Sequence, residues 1–309
     1  MKAVFTYDYG PEKMNALRDL GYEVTVVKES QVENSPEIND ADILTCYNPF
    51  KRIDLSLMPS LKWIQLSSMG VDQLPLEHVK KHNIMVTNNK GGYSKPIGEW
   101  VVMSILNIYK DSKYFARRQD DKIWHLNTGV REVVDKNILF LGTGSVATEA
   151  AKRLQGFEAT IIGMNTDGRD MPYFDRCIPF DQMMKEVAKA HIIVCALPYQ
   201  DELYHLIDDV FLSAMRDCGV LVNISRGKLV DEAALVEYLE EGKFMGVALD
   251  VFEEEPLPEN SQLWEFERVY LSPHNSWVSE MRNERRFETI YENMKRYIND
   301  EALINQVAL

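Results

Sequence analysis

One stretch limits the possible folds more than any other. An apolar run, Ile138-Leu139-Phe140-Leu141, leads through Gly142-Thr143-Gly144-Ser145-Val146-Ala147 into a helical pattern that continues to about Leu154. An apolar run without polar alternation suits a strand buried on both faces, as in a parallel sheet covered by helices. The loop between strand and helix reads G-x-G-x-x-A. The first glycine permits a tight turn, the second lets backbone approach a pyrophosphate, and Ala147 keeps the helix close to the strand. The helix N-terminus then aims amides and a partial positive charge at phosphates. Gly142, Thr143, Gly144, Ser145 and Val146 are therefore read as a dinucleotide cradle. The alternative is a glycine turn that holds nothing.

The rest of the chain repeats the strand–helix alternation. In the first 90 residues, short apolar runs fall at Val4–Tyr7, Val24–Val27, Ile43–Cys46, Trp63–Leu66 and Ile84–Thr87, with a helix from Pro11 to Leu20 ended by Gly21. Pro96 opens a long helical pattern whose Ile97, Trp100, Val101, Ser104, Ile105 and Ile108 form one apolar stripe, read first as core and second as a dimer face. After the glycine loop, further strands are expected at 160–162, 192–196, 220–224, 245–249 and 269–271, with helices near 181–190, 208–216 and 231–241. Six strands joined by crossovers give a doubly wound sheet. After His274 the pattern is helical through about Ile298.

At 309 residues the chain is long enough for two domains. Its formal net charge of -14 argues against nucleic acid and anionic membranes as partners, so an anionic substrate needs local positive charge in its cleft. Cys46, Cys177, Cys195 and Cys218 lie far apart and form no metal-ligand pair, which points to buried reduced thiols and no metal. The N-terminus reads as a strand rather than a signal peptide, and no apolar run approaches the ~18 residues of a membrane span. A cytoplasmic enzyme fits these features.

The second strand of such a fold normally ends in an acid that holds the adenosine ribose diol. Here Asn165 stands at that position, followed by Thr166, Asp167, Gly168 and Arg169. A neutral residue removes repulsion toward a 2′-phosphate, Thr166 offers a hydrogen bond and Arg169 a charge. NADP(H) is favoured, and NAD(H) stays open because Asp167 lies two residues on.

Three later strands end in chemistry. Val220-Leu221-Val222-Asn223-Ile224 runs into Ser225-Arg226-Gly227, Leu249-Asp250 leads to Glu255-Pro256, and Leu271-Ser272 leads to Pro273-His274. Ligands of open α/β sheets sit at the carboxyl ends of strands. A guanidinium there forks onto a carboxylate or carbonyl oxygen, and a histidine held by a carboxylate favours imidazolium and a fixed tautomer. Proton donor, cation and dinucleotide together meet the needs of 2-keto acid reduction.

On these motifs the chain resembles the D-isomer-specific 2-hydroxyacid dehydrogenases, a family that includes D-lactate, glyoxylate/hydroxypyruvate and D-3-phosphoglycerate dehydrogenases. The resemblance runs through Leu197-Pro198, Asn223 to Glu232, Ala248 to Pro256, and Pro273-His274. It implies that Arg226 binds substrate, His274 passes the proton, Glu255 holds His274, and Asp250 lies by the nicotinamide carboxamide, with Leu197, Pro198 and Ile224 also on the cofactor. Gln65 to Asp72 resembles the family's substrate loop, which implies carboxylate binding by Ser68 and the amides of Met69, Gly70 and Val71. It implies a homodimer acting on a small 2-keto or 2-hydroxy acid. Pattern and resemblance together give an α/β fold of two parallel-sheet domains: a Rossmann-type nucleotide domain at 94–279 inserted in a flavodoxin-like substrate domain of 1–93 plus 280–309.

Asn165 departs from the family's usual acid, and Asp135-Lys136 from its Gly-Lys. No regulatory domain is expected after Leu309. Tyr47-Asn48-Pro49-Phe50, Trp124-His125 and Trp277 are distinctive, with packing as the default reading. Loops near Tyr47, Ser68 and Tyr93 are expected to shape the substrate pocket. A competing class is a dinucleotide-sensing, corepressor-like interaction protein on the same fold. Formate or phosphite oxidation is disfavoured, because the family's formate enzymes pair the histidine with glutamine where this chain has Glu255.

Overall fold

The computed structural model describes residues 1–308. The chain divides into two units, one of Met1–Tyr93 with Ser279–Leu309 and one of Ser94–Val278. The first contains strands β1 (Lys2–Phe5), β2 (Glu23–Val26), β3 (Ile43–Cys46), β4 (Trp63–Leu66) and β5 (Met85–Thr87), with helices α1 (Pro11–Asp19), α2 (Pro36–Asn39) and α3 (Leu76–Lys81). All pairs are parallel, in the order β2-β1-β3-β4-β5, the flavodoxin-like arrangement. β3 and β4 are buried at every residue.

The second unit opens with α4 (Ser94–Tyr109) and α5 (Ser112–Asp120). Then come β6 (Asn137–Leu141), α6 (Ser145–Leu154), β7 (Thr160–Asn165), β8 (Arg176–Pro179), α7 (Met183–Val187) and β9 (Ile192–Cys195). The unit continues through α8 (Asp209–Ala214), β10 (Gly219–Asn223), α9 (Glu232–Glu240), β11 (Phe244–Leu249) and β12 (Val269–Leu271). Its sheet has seven parallel strands in the order β8-β7-β6-β9-β10-β11-β12. Counted along this unit the order is 3-2-1-4-5-6-7, a doubly wound sheet that reverses direction between β6 and β9. The six-strand expectation is corrected here: β8, Arg-Cys-Ile-Pro, is a short edge strand with a single fully buried residue and no apolar run to announce it. α5 is likewise absent from the sequence reading, because it buries no residue.

The α4 stripe is core. Ile97, Val101, Ser104, Ile105 and Ile108 are buried, and the helix packs on α6, β10 and β11. Gly98 permits this approach, since a Cβ there would lie 3.0 Å from the backbone of Glu149 and Ala150. Only two of the four cysteines match the buried reading: Cys46 and Cys195 are buried, Cys177 half-buried and Cys218 exposed.

α10 (Arg282–Ile298) returns the chain to the first unit. A buried polar network fastens it there. Gln65 Oε1 accepts from Thr87 Oγ1 (2.8 Å) and Asn293 Nδ2 (2.9 Å), Trp63 Nε1 donates to Thr87 Oγ1 (2.8 Å), and Asn293 Oδ1 accepts from the Ile304 amide (2.8 Å).

Candidate active site

The glycine loop lies at the point where strand order reverses, between β6 and β9. Gly142 has φ 99°, and a Cβ there would fall 2.8 Å from the Ala196 carbonyl oxygen. Nothing lies within 4 Å of a Cβ built on Gly144, which begins α6 without any side-chain cap. An open glycine and an uncapped helix N-terminus are the features that let a pyrophosphate reach backbone amides. The cradle therefore fits a dinucleotide. Thr143 is buried, Ser145 Oγ accepts from Ser94 Oγ at 2.8 Å, and Val146 is buried.

At the end of β7, Asn165 is committed to its own turn. Its Oδ1 accepts from the Gly168 amide (2.7 Å), and its Nδ2 donates to the Arg169 carbonyl (2.9 Å) and Thr143 Oγ1 (3.3 Å). Thr166 is exposed. Arg169 pairs with Asp167 at 2.7 Å, both side chains being more than half exposed. Such a pair is worth little in water and leaves the guanidinium able to change partner.

β10, β11 and β12 are consecutive neighbours, so their carboxyl ends stand about 4.8 Å apart at one edge of the sheet. Arg226 follows β10. Gly227 seats this turn against the β11 loop, because a Cβ there would overlap the Phe252 carbonyl carbon at 1.8 Å. The Ser225 hydroxyl donates to the Leu197 carbonyl and ties in the Leu197-Pro198 loop. Ile224 is buried behind it. His274 Nδ1 and Glu255 Oε2 are 2.8 Å apart. Burial pushes the Glu255 carboxyl up, but the hydrogen bond from His274, the Phe252 amide at 3.1 Å, and the charges of His274 and Arg226 outweigh it and hold the group below the ordinary carboxylate range.

Asp250 is buried and organises the loop that carries His274. Its Oδ1 accepts from Ser272 Oγ (2.6 Å), the Asn275 amide (2.8 Å) and the Ser276 amide (3.2 Å). Oδ2 accepts from the Ser276 amide (3.1 Å), and the Asp250 carbonyl accepts from the His274 amide (2.8 Å). Trp277 Nε1 donates to the His274 carbonyl at 2.8 Å. The sequence reading does not single out Ser272, Asn275 or Ser276. Their only signal is a run of short polar residues flanking Pro273-His274.

In the first unit, Ser68 Oγ donates to the Gly70 carbonyl and accepts from Gln73 Nε2, both at 2.8 Å, while Asn88 Nδ2 donates to the Met69 carbonyl at 2.7 Å. The loop's carbonyls are thus engaged from within. The amides of Met69, Gly70 and Val71 donate to no protein group among the described residues. Tyr93 is buried beside this loop and its hydroxyl donates to the Ser67 carbonyl. Arg286 and Asn89, which the sequence reading leaves unremarked, lie near Tyr93.

A doubly wound sheet with this cradle and an Arg–Glu–His set at adjacent strand ends defines a dinucleotide-dependent oxidoreductase. The model of the D-isomer specific 2-hydroxyacid dehydrogenase NAD-binding domain matches residues 102–276. A glyoxylate reductase from Thermofilum pendens is 33% identical, covering 91% of this chain and 86% of its own length. One from Pyrococcus horikoshii is 29% identical over 83% and 80%. The crystal structure of a D-isomer specific 2-hydroxyacid dehydrogenase from Xanthobacter autotrophicus, in complex with NADPH and MES, superposes with a TM-score of 0.82 at 25% identity over 99% of this chain and 98% of its own. The chain belongs to the D-isomer-specific 2-hydroxyacid dehydrogenase family. It is an NAD(P)-dependent D-2-hydroxyacid dehydrogenase. Among the described residues, no helix is long and apolar enough to cross a membrane.

Proposed function

We propose that the chain interconverts a small 2-keto acid and its D-2-hydroxy acid, with Arg226, Glu255 and His274 as the catalytic set. The observation that carries this reading is the 2.8 Å contact between His274 Nδ1 and an ionised Glu255, next to Arg226. Nδ1 faces the carboxylate, so Nε2 is left to hand a proton to the carbonyl oxygen of the substrate. Glu255 stabilises the imidazolium that must form between turnovers. Arg226 forks onto the substrate carboxylate and carbonyl, orienting C2 and stabilising charge on the oxygen as it develops. A nicotinamide cofactor, when bound, supplies or accepts the hydride at C2. Gly142, Thr143, Gly144, Ser145 and Val146 would hold its pyrophosphate; Leu197, Pro198, Ile224 and Asp250 would lie toward its nicotinamide end. Ser68 and the amides of Met69, Gly70 and Val71 are assigned to the substrate carboxylate, on the strength of three donors that no protein group among the described residues uses.

The cofactor proposed is NADP(H) in preference to NAD(H). Asn165 brings no charge to the ribose, Thr166 is exposed, and Arg169 can trade Asp167 for a 2′-phosphate. The four cysteines are free, which suits the reducing cytoplasm. A homodimer is also proposed. After α5, Trp124 is 99% exposed and Leu126 77%, with Ile123 and Val130 exposed nearby, an apolar arm suited to cover by a second copy.

The test is oxidation of NADPH and NADH by purified protein with glyoxylate, hydroxypyruvate, pyruvate, 2-ketoisocaproate and phenylpyruvate. Turnover is expected with at least one of them, fastest with NADPH. His274→Asn and Arg226→Gln should each lower kcat/KM by about 100-fold or more while the protein stays folded. Full activity in both variants would sink the assignment.

A further inference from the structure

Arg286 lies in the first turns of α10, and its guanidinium is set among phenols. Its Nε donates to the Tyr93 hydroxyl at 2.8 Å, and the group lies 5.7 Å from the ring centroids of both Tyr7 and Tyr93. The buried Tyr9 hydroxyl lies against the guanidinium as well. Among the described residues, Arg286 pairs with no carboxylate, and its polar neighbours are the Tyr93 and Tyr9 hydroxyls. A partly buried guanidinium is normally paired, because withdrawal from water is costly and phenols do not neutralise the charge. In a chain with 48 acidic side chains the missing partner calls for a reason.

The location supplies one. Tyr7 follows β1, and Tyr93 reaches the Ser67 carbonyl just after β4, so Arg286 stands at the carboxyl edge of a parallel sheet, where open α/β folds bind ligands. Glu29, an acid at the same edge, is spent on the Thr6 hydroxyl (2.8 Å) and the amides of Tyr47 (2.7 Å) and Asn48 (2.9 Å). A second observation is independent of Arg286. Asn89 is completely buried, its backbone amide donates to the Ser68 carbonyl at 2.8 Å, and among the described residues its carboxamide has only the Tyr93 hydroxyl beside it and no well-formed hydrogen bond. An under-satisfied buried carboxamide and a guanidinium with no carboxylate, flanking one tyrosine, are what a bound anion with several oxygens would satisfy together.

We propose that Arg286, with Tyr93 and Asn89, recognises a second anionic group on the substrate, so that the preferred 2-keto acids carry a carboxylate or phosphate remote from the keto carboxylate. The inference rests on the 2-keto acid chemistry proposed above and narrows its substrate class. Arg286 is then a specificity residue with no part in hydride or proton transfer.

The experiment compares wild type, Arg286→Met and Arg286→Lys on glyoxylate and pyruvate, which carry one negative charge, and on oxaloacetate, 2-ketoglutarate and 3-phosphohydroxypyruvate, which carry two or more. Wild type should favour at least one of the latter group by kcat/KM. Arg286→Met should lower that value by about 10- to 100-fold, mainly through KM, while the singly charged substrates change less than about threefold. Arg286→Lys should retain part of the preference. Equal loss on both classes, or no wild-type preference for extra charge, overturns the proposal. If Arg286→Met does not fold, the wild-type salt dependence decides: KM for the multiply charged substrates must rise more steeply with ionic strength, and parallel dependence overturns the idea. No turnover with any 2-keto acid would instead remove the underlying reading.

Discussion

Glu255 is pulled in two directions, and the balance matters for catalysis. Burial favours its neutral form, whereas His274, the Phe252 amide and Arg226 favour the carboxylate and prevail. A carboxyl depressed by folding contributes stability above its unfolded pKa and loses it as pH falls through the lower folded value. Glu255 therefore stays ionised across the neutral range. In Glu255→Gln the charged partner that orients the His274 ring is lost, so kcat/KM for keto acid reduction should fall by about 10-fold or more. Steady-state kinetics at neutral pH measure this, and an unchanged kcat/KM would mean that Glu255 does not support His274. Some of these residues were legible in the sequence and some were not. His274 and Arg226 stand directly after apolar strands, so a linear reading finds them. Asn165 was legible as a missing acid, but its grip on Gly168 and Arg169 depends on a turn that the order of residues does not announce. Arg286 was illegible, since Tyr7, Tyr93 and α10 meet from three distant parts of the chain.

Among the elements, buried central strands were the easiest to read. β6, β9 and β10 are apolar nearly throughout and cannot be mistaken for surface. β8 and α5 escaped because the pattern that reveals an element is the pattern of what it buries, and these two bury almost nothing. Turn packing is the other hidden variable. Nothing in Ser225-Arg226-Gly227 states that Gly227 rests directly on the Phe252 backbone. Gly227→Ala should force the β10 and β11 loops apart. We expect a loss of about 1–3 kcal/mol by the usual cost of overpacking, and a fall in kcat larger than any change in cofactor binding. Calorimetry with cofactor titration checks both. An unaltered melting temperature and kcat would show that the two loops are not held in register by this contact.

For the molecule as a whole, division into two units follows from two separate sheets, each with its own core. The proposed dimer belongs to this scale. Light scattering should give about twice the 35.7 kDa chain mass, and Trp124→Ser with Leu126→Ser should shift the protein toward monomer without unfolding it. A wild-type monomer at micromolar concentration would end that proposal. The threading of the chain also governs how the molecule comes into being. On a ribosome all five strands of the first unit emerge early, yet Asn293, which closes their buried polar network, is made only after the whole second unit. At ordinary rates of synthesis the nascent sheet waits roughly tens of seconds for its last helix. The glycine-loop unit can thus be finished while the first unit still lacks α10, and the apolar surface that α10 covers stays exposed for that interval.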